Sequence, residues 1–256
     1  MKPHMLAGLE IEANPVRTPV FTQIADQLRF ATTFHGAMVV AGDHGTGKRF
    51  ALATVLSEQE LPAHQVVVPP AASPKDLVRL MYEAVHQEDD VFALRDMQDE
   101  LIDTLSGVPR ILVIDGADQL TGQGAEQLHY LHARPQAAWT LVLLGPPETI
   151  RAVTVSAGLR GEIIATVEVK HLSGADLHTA VGSLHPIFLL AGADLITLID
   201  QQVCKGRLKN WARFLQAALY VQRQETAAGR DPRPFDVDFT RDVIKHMPDL
   251  TPRKRR

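Results

Sequence analysis

The fold is decided by the stretch Val39-Val40-Ala41-Gly42-Asp43-His44-Gly45-Thr46-Gly47-Lys48-Arg49 of this 256-residue chain. A short apolar strand runs into the pattern G-x-x-x-x-G-K, and a helical segment follows. The pattern predicts a phosphate-binding loop, in which glycines let backbone N–H groups surround a phosphate while the lysine reaches the terminal phosphates. The positive end of the following helix points at the same anion. The alternative is an ordinary glycine-rich turn between a strand and a helix. The candidate nucleotide-binding residues are Gly42, Asp43, His44, Gly45, Thr46, Gly47, Lys48 and Arg49.

The residue after the lysine departs from the pattern. Serine or threonine normally stands there and presents a hydroxyl to Mg²⁺, but this chain has Arg49. A cation therefore takes the place of a magnesium ligand, which leaves nucleotide binding intact and weakens the case for hydrolysis.

A second motif is the apolar run Ile111-Leu112-Val113-Ile114, which ends in Asp115. An aspartate at such a strand end contacts Mg²⁺, directly or through water, so Asp115 is the candidate metal residue; the alternative is a helix cap. Its spacing from the loop suits two intervening helices and a strand, which would let the two motif strands lie side by side. A glutamate that polarises the attacking water usually comes next, but here it is Gly116, with Asp118 as a partial substitute. We expect Gly116→Glu to raise hydrolysis if the rest of the site is competent.

Composition limits the function classes. The formal net charge is -4, so the chain as a whole offers no basic field for nucleic acid, although Arg253-Lys254-Arg255-Arg256 forms a basic end. The single cysteine, Cys204, excludes an internal disulfide and is expected to be a core residue. No apolar run is long enough for a membrane span and no secretory signal is visible, so we expect a cytoplasmic protein without a membrane partner.

Strand-length apolar segments alternate with helical patterns through the first two thirds of the chain. This predicts an α/β fold, in which helices cover a parallel sheet on both faces. After Leu172 the pattern becomes purely helical. We expect an α/β nucleotide-binding domain over 1–171, a helical lid domain over 172–247 and a basic disordered tail over 248–256. The predicted strands are 37–41, 65–68, 110–114, 140–144 and 166–169, and the predicted helices are 48–58, 74–87, 95–106, 123–133, 174–184, 188–204, 208–226 and 237–246.

These motifs resemble those of AAA+ ATPases, and within that group those of the bacterial transposition regulators TnsC, TniB and the Mu B protein. The two phosphate motifs carry the superfamily resemblance, and softer segments carry the subgroup. Those segments are Val16-Arg17-Thr18-Pro19, Leu143-Leu144-Gly145-Pro146-Pro147-Glu148, Leu159-Arg160-Gly161-Glu162-Ile163, Val169-Lys170-His171-Leu172-Ser173 and Gly206-Arg207-Leu208-Lys209-Asn210.

The resemblance implies a P-loop AAA+ core with a small helical lid, ATP and Mg²⁺ as cofactors, and nucleotide between subunits. Such proteins form rings or helical filaments on double-stranded DNA and recruit a transposase. Catalytic roles would fall to Asp115, to Asp118 and to Arg160 as the arginine finger, with Arg151 competing for that last role.

Further roles follow from the same resemblance. Arg207 or Lys209 would contact the nucleotide from the lid, and Gly145-Pro146 would leave the sensor position without a polar side chain. The candidate DNA contacts are Lys75, Arg79 and Arg95.

Three functions stay open at this point. The first is an ATP-dependent, DNA-bound assembly factor for transposition with weak or absent turnover. The second is a non-hydrolysing nucleotide-sensing adaptor, and the third is a helicase-loader-like AAA+ protein. Whether the chain is an enzyme is undecided.

Overall fold

The computed structural model describes residues 17–87, 93–231 and 233–247. They divide into two compact units. The first comprises 19–44 and 48–170, and the second includes the loop residues 45–47 together with the chain from 171 onward. The domain boundaries expected from the sequence stay a prediction, and the basic tail over 248–256 lies outside the described residues.

The first unit is built on a five-stranded parallel sheet with the order β2-β3-β4-β1-β5. Strands β1 and β4 are buried along their whole length, which explains why their sequences show no polar alternation. The bounds are β1 Ala37–Gly42, β2 Ala63–Val67, β3 Arg110–Asp115, β4 Trp139–Gly145 and β5 Ile163–Val169.

Helices cover both faces of this sheet. Alternate residues of each central strand enter two separate apolar cores: Val39 and Ala41 of β1 face one core, and Met38 and Val40 face the other. The predicted α/β class, a parallel sheet covered by helices on both faces, is confirmed. The helices of this unit are α1 Pro19–Phe34, α2 Lys48–Ser57, α3 Pro74–His86, α4 Leu94–Gly107, α5 Gly122–His132, α6 Glu148–Thr154 and α7 Ala157–Glu162.

One topological expectation is wrong. The two motif strands, β1 and β3, are not neighbours, because β4 lies between them and pairs with both. A crossover connection can skip a position in a parallel sheet, so the length of the intervening chain did not determine which strands pair. The sequence also missed α6 and α7, which have 7 and 6 residues and are too short to show a helical period.

The second unit has its own aromatic core. Phe188 meets Trp211 with ring centroids 5.5 Å apart, and Phe214, Phe235 and Phe239 extend the cluster. Cys204 is buried in this core, as expected. Its helices are α8 Gly174–Leu184, α9 Ala193–Ile199, α10 Leu208–Ala227 and α11 Val237–Lys245.

The single helix predicted over 188–204 is wrong. The chain instead forms a 3₁₀ turn over Pro186–Leu190, helix α9, and a π turn over Asp200–Cys204. Gly192 is extended (φ −63°, ψ 151°) and precedes α9, which interrupts the helical repeat. The π turn is supported by the Asp200 carboxylate, which accepts hydrogen bonds from Gly206 N at 2.8 Å and Trp211 Nε1 at 3.0 Å.

No helix in the described ranges is long and apolar enough to cross a membrane.

Candidate nucleotide-binding site

The carboxyl ends of the central strands bring the two motifs to one edge of the sheet. Gly42 ends β1, Asp115 ends β3 and Gly145 ends β4. In the register of the sheet Ala41 pairs with Gly145, and Asp115 pairs with Leu144. Ligands of open parallel sheets bind at this edge, so the fold assembles the candidate site from segments far apart in sequence.

The loop has the backbone conformation that its glycines predict. Gly45 and Gly47 have φ values of +86° and +92°, which side chains with a Cβ rarely adopt. Of the other loop residues, Asp43 and His44 are exposed and Thr46 is buried.

Lys48 is the first residue of α2 and is buried, with Nζ donating to the carbonyl oxygen of Asp43 at 3.1 Å. Burial lowers the pKa of Lys48, and the neighbouring Arg49 charge lowers it further, against the opposing carboxylates of Asp115, Asp43 and Asp118. A buried lysine amid these charges at a helix N-terminus is the arrangement that a phosphate would complete.

The start of α10 contacts loop residues within the second unit. The backbone N–H of Lys209 donates to the carbonyl of Gly45 at 3.0 Å. A Cβ at Gly45 would meet the Cβ atoms of Lys209 at 3.1 Å and Arg207 at 3.8 Å. Both residues proposed as lid contacts therefore lie next to this part of the loop, and the choice between them for that role stays open.

Arg49 forms an ion pair with Asp115. Its Nε lies 2.8 Å from Asp115 Oδ2 and donates to Oδ1 at 3.0 Å. Gln65 of β2, which the sequence analysis missed, donates through Nε2 to Oδ2 at 3.2 Å. The Asp115 side chain is only 4% exposed, whereas that of Arg49 is 68% exposed. Both carboxylate oxygens are thus occupied by N–H donors.

These donors do not fit a magnesium site. Mg²⁺ takes oxygen ligands in a near-octahedral shell, whereas Arg49 and Gln65 present nitrogen-bound protons to the one carboxylate at the strand end. Within the described residues, no group of three or more His, Cys, Asp or Glu side chains could hold a metal ion.

The backbone conformation at position 116 explains why the residue there is a glycine. Its φ is +82°, its N–H donates to Leu144 O at 2.9 Å, and a Cβ there would lie 3.0 Å from the carbonyl oxygen of Val68. A side chain at this position would therefore strain the backbone. The substitution Gly116→Glu, suggested from the sequence, is consequently a poor test of catalytic competence.

The end of β4 is more polar than expected. The sequence suggested that Gly145-Pro146 offers no polar side chain, but a Cβ at Gly145 would lie 2.2 Å from Thr149 Oγ1 and 3.0 Å from Asp118 Oδ1. Thr149 is fully buried, and its hydroxyl has no hydrogen-bond partner among the described residues. Asp118 also accepts a short hydrogen bond from Gln119. A hydroxyl and a carboxylate thus lie where the sequence showed none.

Thr149 could not be recognised from the motif pattern, because it approaches Gly145 only through the turn that begins α6. The backbone N–H of Thr149 donates to Pro146 O at 3.0 Å in that turn.

Arg160 lies on the exposed side of α7. Ser156 caps this helix by accepting from Leu159 N at 3.1 Å, and Leu159 is buried beneath it. Neither Arg160 nor its competitor Arg151 has a side-chain hydrogen bond or ion pair to any described residue. Both are exposed, so the geometry of one chain does not distinguish them.

Glu162 of helix α7 contacts two histidines of helix α5. Glu162 lies 3.1 Å from Nδ1 of the buried His132 and 3.9 Å from Nδ1 of His129. Burial lowers the pKa of His132, and Glu162 opposes this shift only partly. The pair therefore has a packing role.

The candidate DNA contacts differ from one another. Lys75 is exposed at the start of α3, and Arg95 is 88% exposed at the start of α4, only 3.9 Å from Asp99. Arg79 donates to Glu83 at 2.9 Å, so a neighbour on its own helix already neutralises it.

Comparison with known proteins identifies the fold. Residues 33–153 match a family described as an AAA domain. A search of curated proteins found no significant match. The solved structure of the Aeropyrum pernix ORC2 protein in its ADP form is similar, with a TM-score of 0.65 and 14% identity over 93% of this chain and 71% of that chain.

Two further structures give the same result. The Aeropyrum pernix ORC1 protein in complex with DNA has a TM-score of 0.61 and 15% identity, over 93% of this chain and 67% of that chain. The Thermotoga maritima RuvB Holliday junction branch migration motor has a TM-score of 0.58 and 14% identity, over 88% and 67%. The chain thus has the AAA+ fold.

Proposed function

We propose that this protein is an ATP-binding AAA+ regulator of DNA transposition. It acts in the cytoplasm, assembles on double-stranded target DNA as a ring or filament, recruits a transposase, and hydrolyses ATP weakly or not at all. The observation that carries the proposal is the contrast within one site: the loop and buried Lys48 suit a polyphosphate, while Asp115 is paired with Arg49 and Gly116 replaces the usual glutamate.

Nucleotide binding is supported by the loop itself. Its positive-φ glycines, the N-terminus of α2 and the buried Lys48 supply amide and ammonium donors for phosphates. The similar Aeropyrum pernix ORC2 protein was solved in an ADP form and as ADPNP–ADP complexes, which supports an adenine nucleotide here. Lys209 and Arg207 would add contacts from the start of α10.

Weak hydrolysis is supported by what surrounds the strand end. Arg49 occupies the carboxylate of Asp115, and Gly116 cannot act as a base. Asp118 and the Thr149 hydroxyl, which no described residue engages, are the groups left to orient a water. We therefore expect slow turnover rather than a motor activity.

Assembly on DNA is supported by three observations. Neighbours with this fold include an ORC1–DNA complex and a Holliday junction motor. Arg160 is exposed on the surface of its own chain, as an arginine that acts in a neighbouring subunit must be. Lys75 and Arg95 are exposed cations on the first unit. The transposition role itself depends on the segments that resemble the transposition regulators.

The test combines ATP, DNA and assembly. The full chain is mixed with duplex DNA with ATP, with ADP or without nucleotide, then examined by electron microscopy and fluorescence anisotropy at several salt concentrations. We expect ATP-dependent rings or filaments, with an affinity that falls as salt rises. Combined substitution of Lys75 and Arg95 by alanine should weaken DNA binding, whereas Arg241→Ala, a matched exposed arginine on α11, should not. A protein that stays monomeric and ignores DNA with ATP present would overturn the proposal.

The pairing of Arg49 with Asp115 also favours a second candidate, a non-hydrolysing adaptor in which nucleotide fixes a conformation for a protein partner. The adaptor would bind ATP without any DNA-dependent assembly. The same mixtures therefore separate the two functions.

A further inference from the structure

The carboxylate that would normally attract Mg²⁺ is already neutralised in this protein. Asp115 is buried, and its Oδ1 accepts from Arg49 Nε, while Oδ2 lies 2.8 Å from the same nitrogen and accepts from Gln65 Nε2. A divalent cation entering here would have to displace a guanidinium from a carboxylate and then sit next to it. The cation and the guanidinium would then repel each other strongly, because the site is partly buried.

The Arg49 guanidinium has hydrogen-bond donors that Asp115 does not use. Its guanidinium carries five N–H groups, and its contacts with Asp115 run through Nε alone. Its Nη nitrogens form no hydrogen bond with the described residues, and the side chain is 68% exposed. Asp115 therefore holds the guanidinium in place through Nε and leaves its Nη groups available to a phosphate. An arginine can bind two phosphate oxygens with two parallel hydrogen bonds.

The position of Arg49 places this face beside the phosphate-binding lysine. It directly follows Lys48 in the first turn of α2, and its charge acts on the Lys48 ammonium. Two adjacent cations thus stand at a helix N-terminus, which favours a polyphosphate, and they face the carboxylates of Asp115, Asp43 and Asp118.

We propose that Arg49 takes over the charge-neutralising role of magnesium, so that this protein binds the triphosphate of ATP without a divalent cation. The inference deepens the proposed function and rests on it. Asp115 then acts as a positioning residue for the guanidinium instead of as a metal ligand.

The test measures ATP affinity by calorimetry in Mg²⁺ and in EDTA. We expect the wild type to bind ATP at least as tightly in EDTA as in Mg²⁺, because Mg²⁺ in solution competes with the protein for the triphosphate. Arg49→Thr restores the hydroxyl; it should lose about tenfold or more in EDTA, as expected for a lost charged hydrogen bond, and recover when Mg²⁺ is added. Arg29→Ala, which removes an exposed arginine paired with Asp26, should match the wild type in both conditions.

A second variant guards against misfolding of the first, whose melting curve is recorded alongside. Asp115→Asn frees the guanidinium from its competing carboxylate, so ATP affinity should rise about threefold in EDTA. In a magnesium-dependent site the same change would lower affinity. Electron paramagnetic resonance with Mn²⁺ and ATP gives an independent readout: bound Mn²⁺ should appear with Arg49→Thr and not with the wild type.

The outcomes separate cleanly. ATP binding by the wild type only with Mg²⁺, or equal EDTA affinity of Arg49→Thr and the wild type, would overturn this inference and leave the proposed function standing. Absence of ATP binding under both conditions would overturn the proposed function itself.

Discussion

Two neighbouring parts of one sheet edge differ in how closely they match the residue pattern of an ATPase site. The binding side, residues 42–48, has its two positive-φ glycines and a buried Lys48. The hydrolysis side has a carboxylate, Asp115, paired with an arginine, and Gly116 stands in place of the base. Its remaining polar groups are the Thr149 hydroxyl and the Asp118 carboxylate, which lie beside Gly145. The difference assigns the proposed nucleotide binding and the proposed hydrolysis to separate residues, although the strands that carry them belong to one sheet.

The largest expected effect is on the binding side. Lys48→Ala removes the buried ammonium that we propose contacts the phosphates, so we expect ATP affinity to fall about 100-fold, in line with the loss of charged hydrogen bonds. Calorimetry measures this loss, and Lys170→Ala, which removes an exposed lysine, serves as the control. Unchanged affinity in Lys48→Ala would place the nucleotide elsewhere and break the comparison.

The next effect concerns Gly116 on the hydrolysis side. Its φ is +82°, and an added Cβ would lie 3.0 Å from the Val68 carbonyl oxygen. Gly116→Ala should therefore destabilise the fold by about 1–3 kcal/mol. Chemical denaturation measures this. Gly107→Ala, where a Cβ would meet nothing within 4 Å, should be neutral or slightly stabilising. Equal stability of the two variants would show that residue 116 is glycine for a reason other than backbone strain.

A smaller effect separates stability from hydrolysis at Thr149. Its buried hydroxyl has no partner among the described residues, so Thr149→Val should stabilise the fold by about 1 kcal/mol. If that hydroxyl helps to orient water, the same variant should lower the single-turnover hydrolysis rate by about tenfold. Thr154→Val on the same helix removes a hydroxyl that already donates to Ile150 O at 2.7 Å and should gain no stability. A rate unaffected by Thr149→Val would remove Thr149 from the hydrolysis side.

The smallest effect is a pH dependence of stability, which we expect from His132 of α5 where it contacts Glu162 of α7. Burial lowers the pKa of His132 below its unfolded value, so the unfolded chain binds more protons as the pH falls below about 6.5. Stability should therefore be complete above that pH and decrease by about 1 kcal/mol toward pH 5. Denaturation curves at several pH values should show a flatter profile for His132→Asn. Burial shifts the pKa of His185 in the same direction, so part of the slope should persist; an unchanged slope would exclude His132 as its source.

Local patterns were enough to predict the loop, the strand ending in Asp115 and the parallel sheet. A glycine-rich loop between an apolar strand and a helix is determined over a dozen residues, and doubly buried strands show in their own sequence. The neighbour of β1 was not predictable in this way, because pairing across a sheet depends on which position each crossover takes. The helix expected over 188–204 failed because an extended Gly192 and a π turn interrupt it, and neither has a strong local signal.

The candidate site shows the same limit. Arg49 and Gly116 are departures from the motif pattern in the sequence. Their roles follow only from contacts in the folded chain, with Asp115 and with Val68 respectively. The pairing of Arg49 with Asp115 joins residues 66 positions apart, and Gln65 reaches the same carboxylate from the neighbouring strand β2. Thr149 became visible only because α6 folds its hydroxyl back against Gly145.

The central place of β4 has a consequence for how this site can change shape. Leu144 O accepts the N–H of Gly116, and the next residue, Gly145, pairs with Ala41 at the start of the loop. All seven residues of the strand are buried, and a slip of one residue would turn each apolar side chain toward the wrong core. Because β4 cannot slide, the sheet fixes the separation of the strand that leads into the loop from the strand that ends in Asp115.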